Sequence, residues 1–353
     1  MMPHPIDSLA VKEPAIAGNL TIFPLTLSQT SGPDYIPLST AIEQHGLVVK
    51  EINACGSVPD LHVENPSTHC VLLLDGEELR GAKQNRIVNT TVLLAARSQT
   101  QIPVSCTESG RWHYDSDVFA CPKSVMPTKA RRRKTRSVSE SLQQGLNFSS
   151  DQGEVWQEVE DLHHKAGSAS ATRAMADALE SMRVDIEATA SAITAEAGQC
   201  GFISFINGEP AGLELVSRPP VYAELHAQLI RSYAAEALAN RKRVPTDKSD
   251  PNGPTYLPIE DLPKPDSLAA KSFLEQCAAI AGKPYASIGL GRDWRFLNGR
   301  IVGSGLEVEE TWIHMAYFVE EEGRGHGGRV RRMAPSSQRA RYRRESGGED
   351  VVF

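Results

Sequence analysis

Between two apolar runs, CVLLLD and TTVLLAA, the chain reads GEELRGAKQNRIVN at residues 76–89. Its residue types suit recognition of an anion. Lys83 and Arg86 supply fixed positive charge, and a guanidinium fork matches the paired oxygens of a phosphate or carboxylate. Gln84, Asn85 and Asn89 can each donate and accept, as reading a base or sugar edge requires. Glu77 or Glu78 could serve as a general base if burial raised its pKa. Gly76 and Gly81 permit a sharp turn or close backbone approach. A second reading stands beside this one: a hydrogen-bonded bracket in which Glu and Arg pair and fix two strands.

A companion stretch, SCTESGRWHY, covers residues 105–114. It follows a strand, so Glu108, Arg111 and Trp112 project from a strand end, a common place for function. Trp112 could stack on a planar ring, Arg111 could add an anion contact, and Glu108 joins Glu77 and Glu78 as an acid–base candidate. The bland alternative makes Trp112 a lid on the core and Glu108–Arg111 a surface pair. Cys106 has His113 within sequence reach as a base, but Ile102, Val104 and Cys106 alternate on one strand face, which places the thiol in the core. His314 shares a strand face with Trp312 and Ala316 and reads as a core histidine with a backbone partner. Arg292 and Asp293 either face the same cleft or close a turn. His163 and His164 are adjacent on a helix and point to different sides.

The elements that must position these residues are readable from pattern. From 19 to 122 short β-branched and aliphatic runs bounded by Gly, Pro, Asn or Ser predict strands in a sandwich or jelly-roll-like unit. Within it STAIEQHG predicts a short helix capped by Ser39 and stopped by Gly46. Val155, Trp156, Val159 and Leu162 predict one helix, and an apolar stripe predicts another over 171–197. GFISFINGEPAGLELV predicts a hairpin turning at Asn207–Gly208. A helix follows Pro219–Pro220, another over 267–281 is capped by Ser267, and strands turning at Asn298–Gly299 close the chain. The expected fold is α+β: a β-rich half, then an antiparallel sheet covered by helices. The expected segments are a loosely ordered 1–18, the β-rich 19–122, a basic exposed connection at 123–150, the α+β half 151–322 and a disordered tail at 323–353. The Pro- and Asp-rich 244–266 reads as a surface loop or lid.

Composition sets limits. With 353 residues, 40% hydrophobic and 23% charged, the chain has enough apolar material for a sizeable core. No apolar run reaches the ~18–20 residues of a membrane span, and no signal pattern opens the chain, so a cytoplasmic setting is expected. The six cysteines are scattered, with no CxxC and no HExxH, so no metal site is predicted. GRGHGG at 323–328 follows no strand and starts no helix, so no cofactor fingerprint is present either. The net charge of −7 is uneven: 123–136 carries +7 and 323–353 carries +5, which leaves −19 on the rest. The basic tracts suggest self-association into a homo-oligomer or contact with a polyanion. Arg131, Arg132, Arg133 and the tail could neutralise nucleic-acid phosphates, but they lack interleaved aromatics, so a solvated or self-docking charge run is favoured over nucleic acid.

GEELRGAKQNRIVNTT, IPVSCTESGRW, GQCGFISFINGEPAGLEL and LIRSYAAEAL together carry a resemblance. Over roughly residues 20–320 the chain resembles the bacterial ARG-and-rhodanese-phosphatase-associated protein domain family. The basic tract at 129–136 and the Arg-rich tail lie outside the pattern. Through gene neighbourhood the resemblance implies a link to ADP-ribose or nucleotide metabolism, and it assigns no residue a role. The expected function is binding, with or without hydrolysis, of a small anionic, ADP-ribose-type ligand in a polar pocket at 77–89 and 105–114. The alternative is a non-enzymatic interaction module that meets partners through its basic tracts.

Overall fold

The computed structural model describes residues 8–28, 32–52, 59–241 and 256–320. In chain order the first elements are β1 (Leu9–Val11), β2 (Ala15–Ala17), β3 (Leu20–Leu27), β4 (Tyr35–Pro37), α1 (Leu38–His45), β5 (Val48–Glu51) and β6 (Asp60–Asn65). Next come β7 (Cys70–Leu73), β8 (Glu78–Gly81), β9 (Arg86–Val88), β10 (Val92–Leu94), β11 (Ser98–Cys106) and β12 (Phe119–Ala120). The helices α2 (Thr128–Gln143), α3 (Gln152–Ala166), α4 (Met175–Ser181) and α5 (Arg183–Ser191) follow, then β13 (Gln199–Ile206), β14 (Glu209–Val216) and α6 (Pro219–Ala239). The chain continues through α7 (Ser267–Ala278), β15 (Gly282–Ala286), β16 (Arg292–Asn298), β17 (Ile301–Val308) and β18 (Thr311–Val319).

The fold is α+β, with three sheets. The largest is antiparallel, in the order β1-β3-β13-β14-β18-β17-β16-β15, with β2 also paired to β3. One face packs under α6 through Leu20, Ile22, Phe202, Leu229 and Tyr233. The other packs under α7 through Phe23, Ile203, Leu213, Phe273 and Tyr317. Sheet faces alternate with period two, so such strands read as continuous apolar runs when both faces are covered. A three-stranded sheet, β10-β7-β4, and a six-stranded sheet, β12-β8-β9-β11-β6-β5, share a second core built on Val49, Leu61, Leu79, Val88, Val104 and Phe119. The six-stranded sheet curls until its end strands, β5 and β12, touch. Its inner face therefore lines an incomplete barrel, with the β8–β9 hairpin at one rim.

Several expectations change here. Residues 9–17 are not loose: β1 and β2 both pair with β3, and Leu9 and Val11 pack on the sheet core. β3 itself joins the second-half sheet rather than the β-rich half. Most of the basic connection is not exposed. Residues 128–143 form α2, whose Arg131, Lys134, Thr135 and Val138 are buried along one face. The predicted helix 171–197 breaks at Met182, where φ is −103°, into α4 and α5. Gly46 ends α1 in a left-handed conformation, but Pro37, not Ser39, begins it. Asp266, not Ser267, caps α7.

The Asn207–Gly208 turn has φ of 53° and 82°, as a type I′ turn requires. At the β16–β17 hairpin the paired ends are Asn298 and Ile301, so Gly299 and Arg300 turn instead, and only Gly299 has positive φ. A bulge opposite Leu306–Glu307 breaks alternation at Ile313. Trp312 consequently packs on Phe296 and Trp294, while His314 turns to the other face and reaches side chains rather than backbone. Residues 244–255 and the tail 323–353 lie outside the described residues. Of the predicted loop or lid, the described part holds a 3-10 turn at Ile259–Asp261, and Pro263 lies against Gly208. No helix among the described residues is long and apolar enough to cross a membrane.

Candidate functional site

The two stretches singled out by residue type do meet, at the rim of the barrel, and they divide into a bracket and a residual locus. Register decides which residue goes where. Arg86 pairs with Leu79 on one side and Cys106 on the other, so its side chain shares the inward face with Leu79 and Val88. Ile87 faces outward, onto a core formed with α3 and α4. An arginine thus occupies a position where alternation calls for an apolar residue, and it is fully buried.

The bracket centres on Arg111. Its Nε donates to Glu108 at 2.9 Å, Nη1 to the carbonyl of Ala82 at 2.7 Å, and Nη2 to Asn85 Oδ1 at 3.1 Å. Asn85 Oδ1 also accepts from the Gly81 amide, and the Asn85 amide donates to Glu108. Arg111 holds Glu108 below the usual carboxylate range against the effect of burial. Asn89 is likewise committed, donating to the carbonyl of Phe148 and accepting from Ser105. Ala82, at the hairpin tip, has φ of 43°, a left-handed conformation that costs a non-glycine residue about 1–2 kcal/mol. Its carbonyl accepts from both Arg111 and the Asp115 amide, so the bracket fixes a strained turn. Glu108, Arg111 and Asn85 are thus bonded to one another at the tip, and Asn89 is bonded at the other end of β9.

Glu77 and Glu78 point away from each other. Glu77 is fully buried toward α6, accepting from the Leu74 amide at 3.0 Å and from Gln228 and Cys121 at the limit of hydrogen bonding. Burial without a cation pushes its pKa up to about 7. Glu78 pairs with Arg80 at 2.9 Å, and burial raises its pKa too. Neither stands beside Arg86.

What remains is Lys83, Gln84, Arg86 and Trp112. Trp112 is 38% exposed and Tyr114 46% exposed. The Lys83 ammonium lies 5.4 Å from the Trp112 ring centre and 5.1 Å from that of Tyr114, in cation–π range. Beneath the same indole, 5.8 Å from its centre, is the Arg86 guanidinium. Arg86 Nη1 donates to the carbonyl and side-chain oxygens of Gln84 at 3.3 and 3.2 Å. The opposite edge, Nε and Nη2, makes no hydrogen bond among the described residues. This edge is the side-on fork that binds oxyanions in bidentate fashion.

Opposite it stands Glu51, which the motif search missed. Its Oε1 is 3.6 Å from Arg86 Nη2, beyond hydrogen-bonding distance, and neither of its oxygens makes a hydrogen bond. Burial raises its pKa, opposed by the Arg86 charge, by the backbone N–H of Lys83 and by the Lys83 charge. The signal was present in VVKE: Val49 and Glu51 share the buried side of β5, so a charge sits in an apolar position.

The remaining candidates are accounted for internally. Cys106 and His314 are buried, and His314 joins Thr91 to Glu214. Asp293 is buried against Arg295 and Thr90, whereas Arg292 pairs with Glu307 at the surface. Arg131 donates to Glu214 at 2.5 Å, Lys134 bonds Asp75 and donates to the Asn89 carbonyl at 2.8 Å, and Arg133 pairs with Glu158. Arg132 donates to the Val319 carbonyl. The arginines read as phosphate contacts therefore face the interior. No group of three or more His, Cys, Asp or Glu side chains among the described residues is placed to hold a metal.

Comparison with known families found one match: the ARG and Rhodanese-Phosphatase-superfamily-associated Protein domain, over residues 8–318. The match includes the basic helix α2, which the sequence pattern had left outside. No curated protein and no solved structure matched the chain.

Proposed function

The chain belongs to that family, and from the geometry of the hairpin tip we propose that it binds a small anionic, nucleotide-like ligand at Arg86 and Lys83. The observation that carries this reading is the open Nε–Nη2 edge of a fully buried arginine beneath a half-exposed indole. A buried donor left unbonded costs on the order of 1–3 kcal/mol, so an oxyanion that fills the edge recovers that loss. Lys83 adds a second charge, Gln84 fixes the guanidinium plane, and Trp112 offers a ring face to a planar group. The link to ADP-ribose or nucleotide metabolism implied by the resemblance agrees with an anionic ligand and assigns no residue. The acids first read as catalytic, Glu77, Glu78 and Glu108, are engaged elsewhere, so the proposal is binding.

Isothermal titration with inorganic phosphate, and mass spectrometry of small molecules that co-purify with the chain, test it. Arg86→Ala is expected to remove both signals, while Arg111→Lys keeps them at reduced thermal stability. If Arg86→Ala and Lys83→Ala retain every ligand signal and lose only stability, the hairpin is a bracket throughout. The interaction-module alternative is weakened, because α2 spends its charge on Asp75, Glu214 and Glu158.

A further inference from the structure

The carboxyl of Glu51 beside the open edge of Arg86 narrows the ligand further. We propose that the anion seated on Arg86 shares a proton with Glu51, so that the site takes phosphate or a terminal phosphomonoester and rejects sulfate. This inference rests on the binding reading above and deepens it.

Arg86 Nε and Nη2 complete no hydrogen bond, nor do the two Glu51 oxygens, and the two side chains face each other as an ion pair too long for one. Only 3.6 Å separates the nearest pair, and both side chains are almost wholly buried. A ligand that satisfies both must accept hydrogen bonds on one side and donate one on the other, within the span of a single tetrahedral group. Hydrogen phosphate does this: two oxygens lie on the guanidinium fork and the P–OH points at the carboxylate. A phosphomonoester does it by taking up one proton, since its second pKa is about 6. Sulfate carries no proton at neutral pH, so it meets Glu51 as a like charge unless Glu51 itself takes up a proton, a cost that hydrogen phosphate does not bear. The proton can rest on either oxygen of the pair, as it does where two acids share one site. Burial, which raises the pKa of Glu51, favours keeping that proton in the site. The charged groups that face Glu51 are Arg86 and Lys83. Nucleotide-like ligands are thereby restricted at this locus to those with a terminal phosphate. A bridging diphosphate, with no P–OH, is excluded.

The test is titration of the whole chain with phosphate and with sulfate at matched ionic strength, in the wild type and in Glu51→Gln. Wild type is expected to favour phosphate by about tenfold or more. Its affinity for a phosphomonoester should rise as pH falls through the second phosphate ionisation, with proton uptake on binding. Glu51→Gln, equal in size and able to donate to either anion, is expected to bring the two affinities together. Equal binding of phosphate and sulfate by the wild type overturns the inference and leaves the Arg86 site standing. Selectivity that survives Glu51→Gln overturns it as well. If the wild type binds neither anion, the Arg86 site itself is wrong, and the inference falls with it. The wild-type ratio needs no mutant, so a Glu51→Gln chain that failed to fold would not protect the idea.

Discussion

Two buried glutamates, Glu77 and Glu51, show how environment rather than residue type assigns roles. Glu77 is surrounded by an amide, a carboxamide and a thiol, with no cation, and its pKa rises to about 7. Its folded pKa is above the unfolded value near 4.5. The folded state therefore holds more protons between those two values, and stability falls as pH rises through that window. The loss is on the order of 3 kcal/mol once both limits are passed. Glu77→Gln is expected to flatten this part of the stability–pH curve, with its largest gain above pH ~7 and little change below pH ~4.5. Urea unfolding at a series of pH values measures it, and an unchanged slope in the mutant would exclude Glu77 as the source. At this scale the sequence showed which residue types gather at 77–89 but not their division of labour. Arg111, on the loop after β11, satisfies its donors locally, while Arg86, on the inward face of β9, does not.

The helix α2 makes the same point at the scale of an element. TKARRRKTRSVSESLQ is rich in good helix formers, and Arg131, Lys134, Thr135 and Val138 recur at helical spacing. The period was written in charged residues, so a search for apolar stripes passed over it. The complementary acids come from distant strands: Asp75 follows β7, Glu214 is on β14 and Glu320 follows β18. The charge run of α2 is thus an internal docking code. Each buried partner is needed, because a lone buried charge is far more costly than the pair. Lys134→Met keeps the helix and much of the volume but leaves Asp75 without its nearest cation. Chemical denaturation should show a loss of about 3–5 kcal/mol. Lys123→Met, in the same basic tract but in an exposed pair with Glu43, should cost under ~1 kcal/mol. Similar costs for the two would mean that burial of α2 is not what gives its charges their weight.

For the molecule as a whole, the sheets and their helices were legible because most elements bury apolar faces at the expected periods. Long-range pairing was less so. That β3 belongs with β13 and that the six-stranded sheet curls until β5 meets β12 are set by partners far apart in sequence. The candidate site depends on that curl, since Glu51 and Arg86 lie three strand pairings apart along the sheet order. Between the barrel and the large sheet lies a continuous polar core. Asp75 bonds Lys134 and lies 3.9 Å from Arg131, and Arg131 and His314 both reach Glu214. Thr91 connects His314 to the Asp75 amide, and Thr90 connects to Asp293. A junction so connected predicts one cooperative unit. In native-state hydrogen exchange, the slowest amides of β9 and β11 should open with the same free energy as those of β17 and β18. A barrel that opens at lower energy while the large sheet stays protected would show two units instead.

The most direct measurement of the central claim is a nitrogen–proton spectrum of the arginine side chains during phosphate titration. The account predicts one buried Nε–H resonance, absent from Arg86→Lys protein, that shifts and saturates with added phosphate. A spectrum in which that resonance stays fixed while phosphate binds, or in which no arginine responds at all, would contradict it.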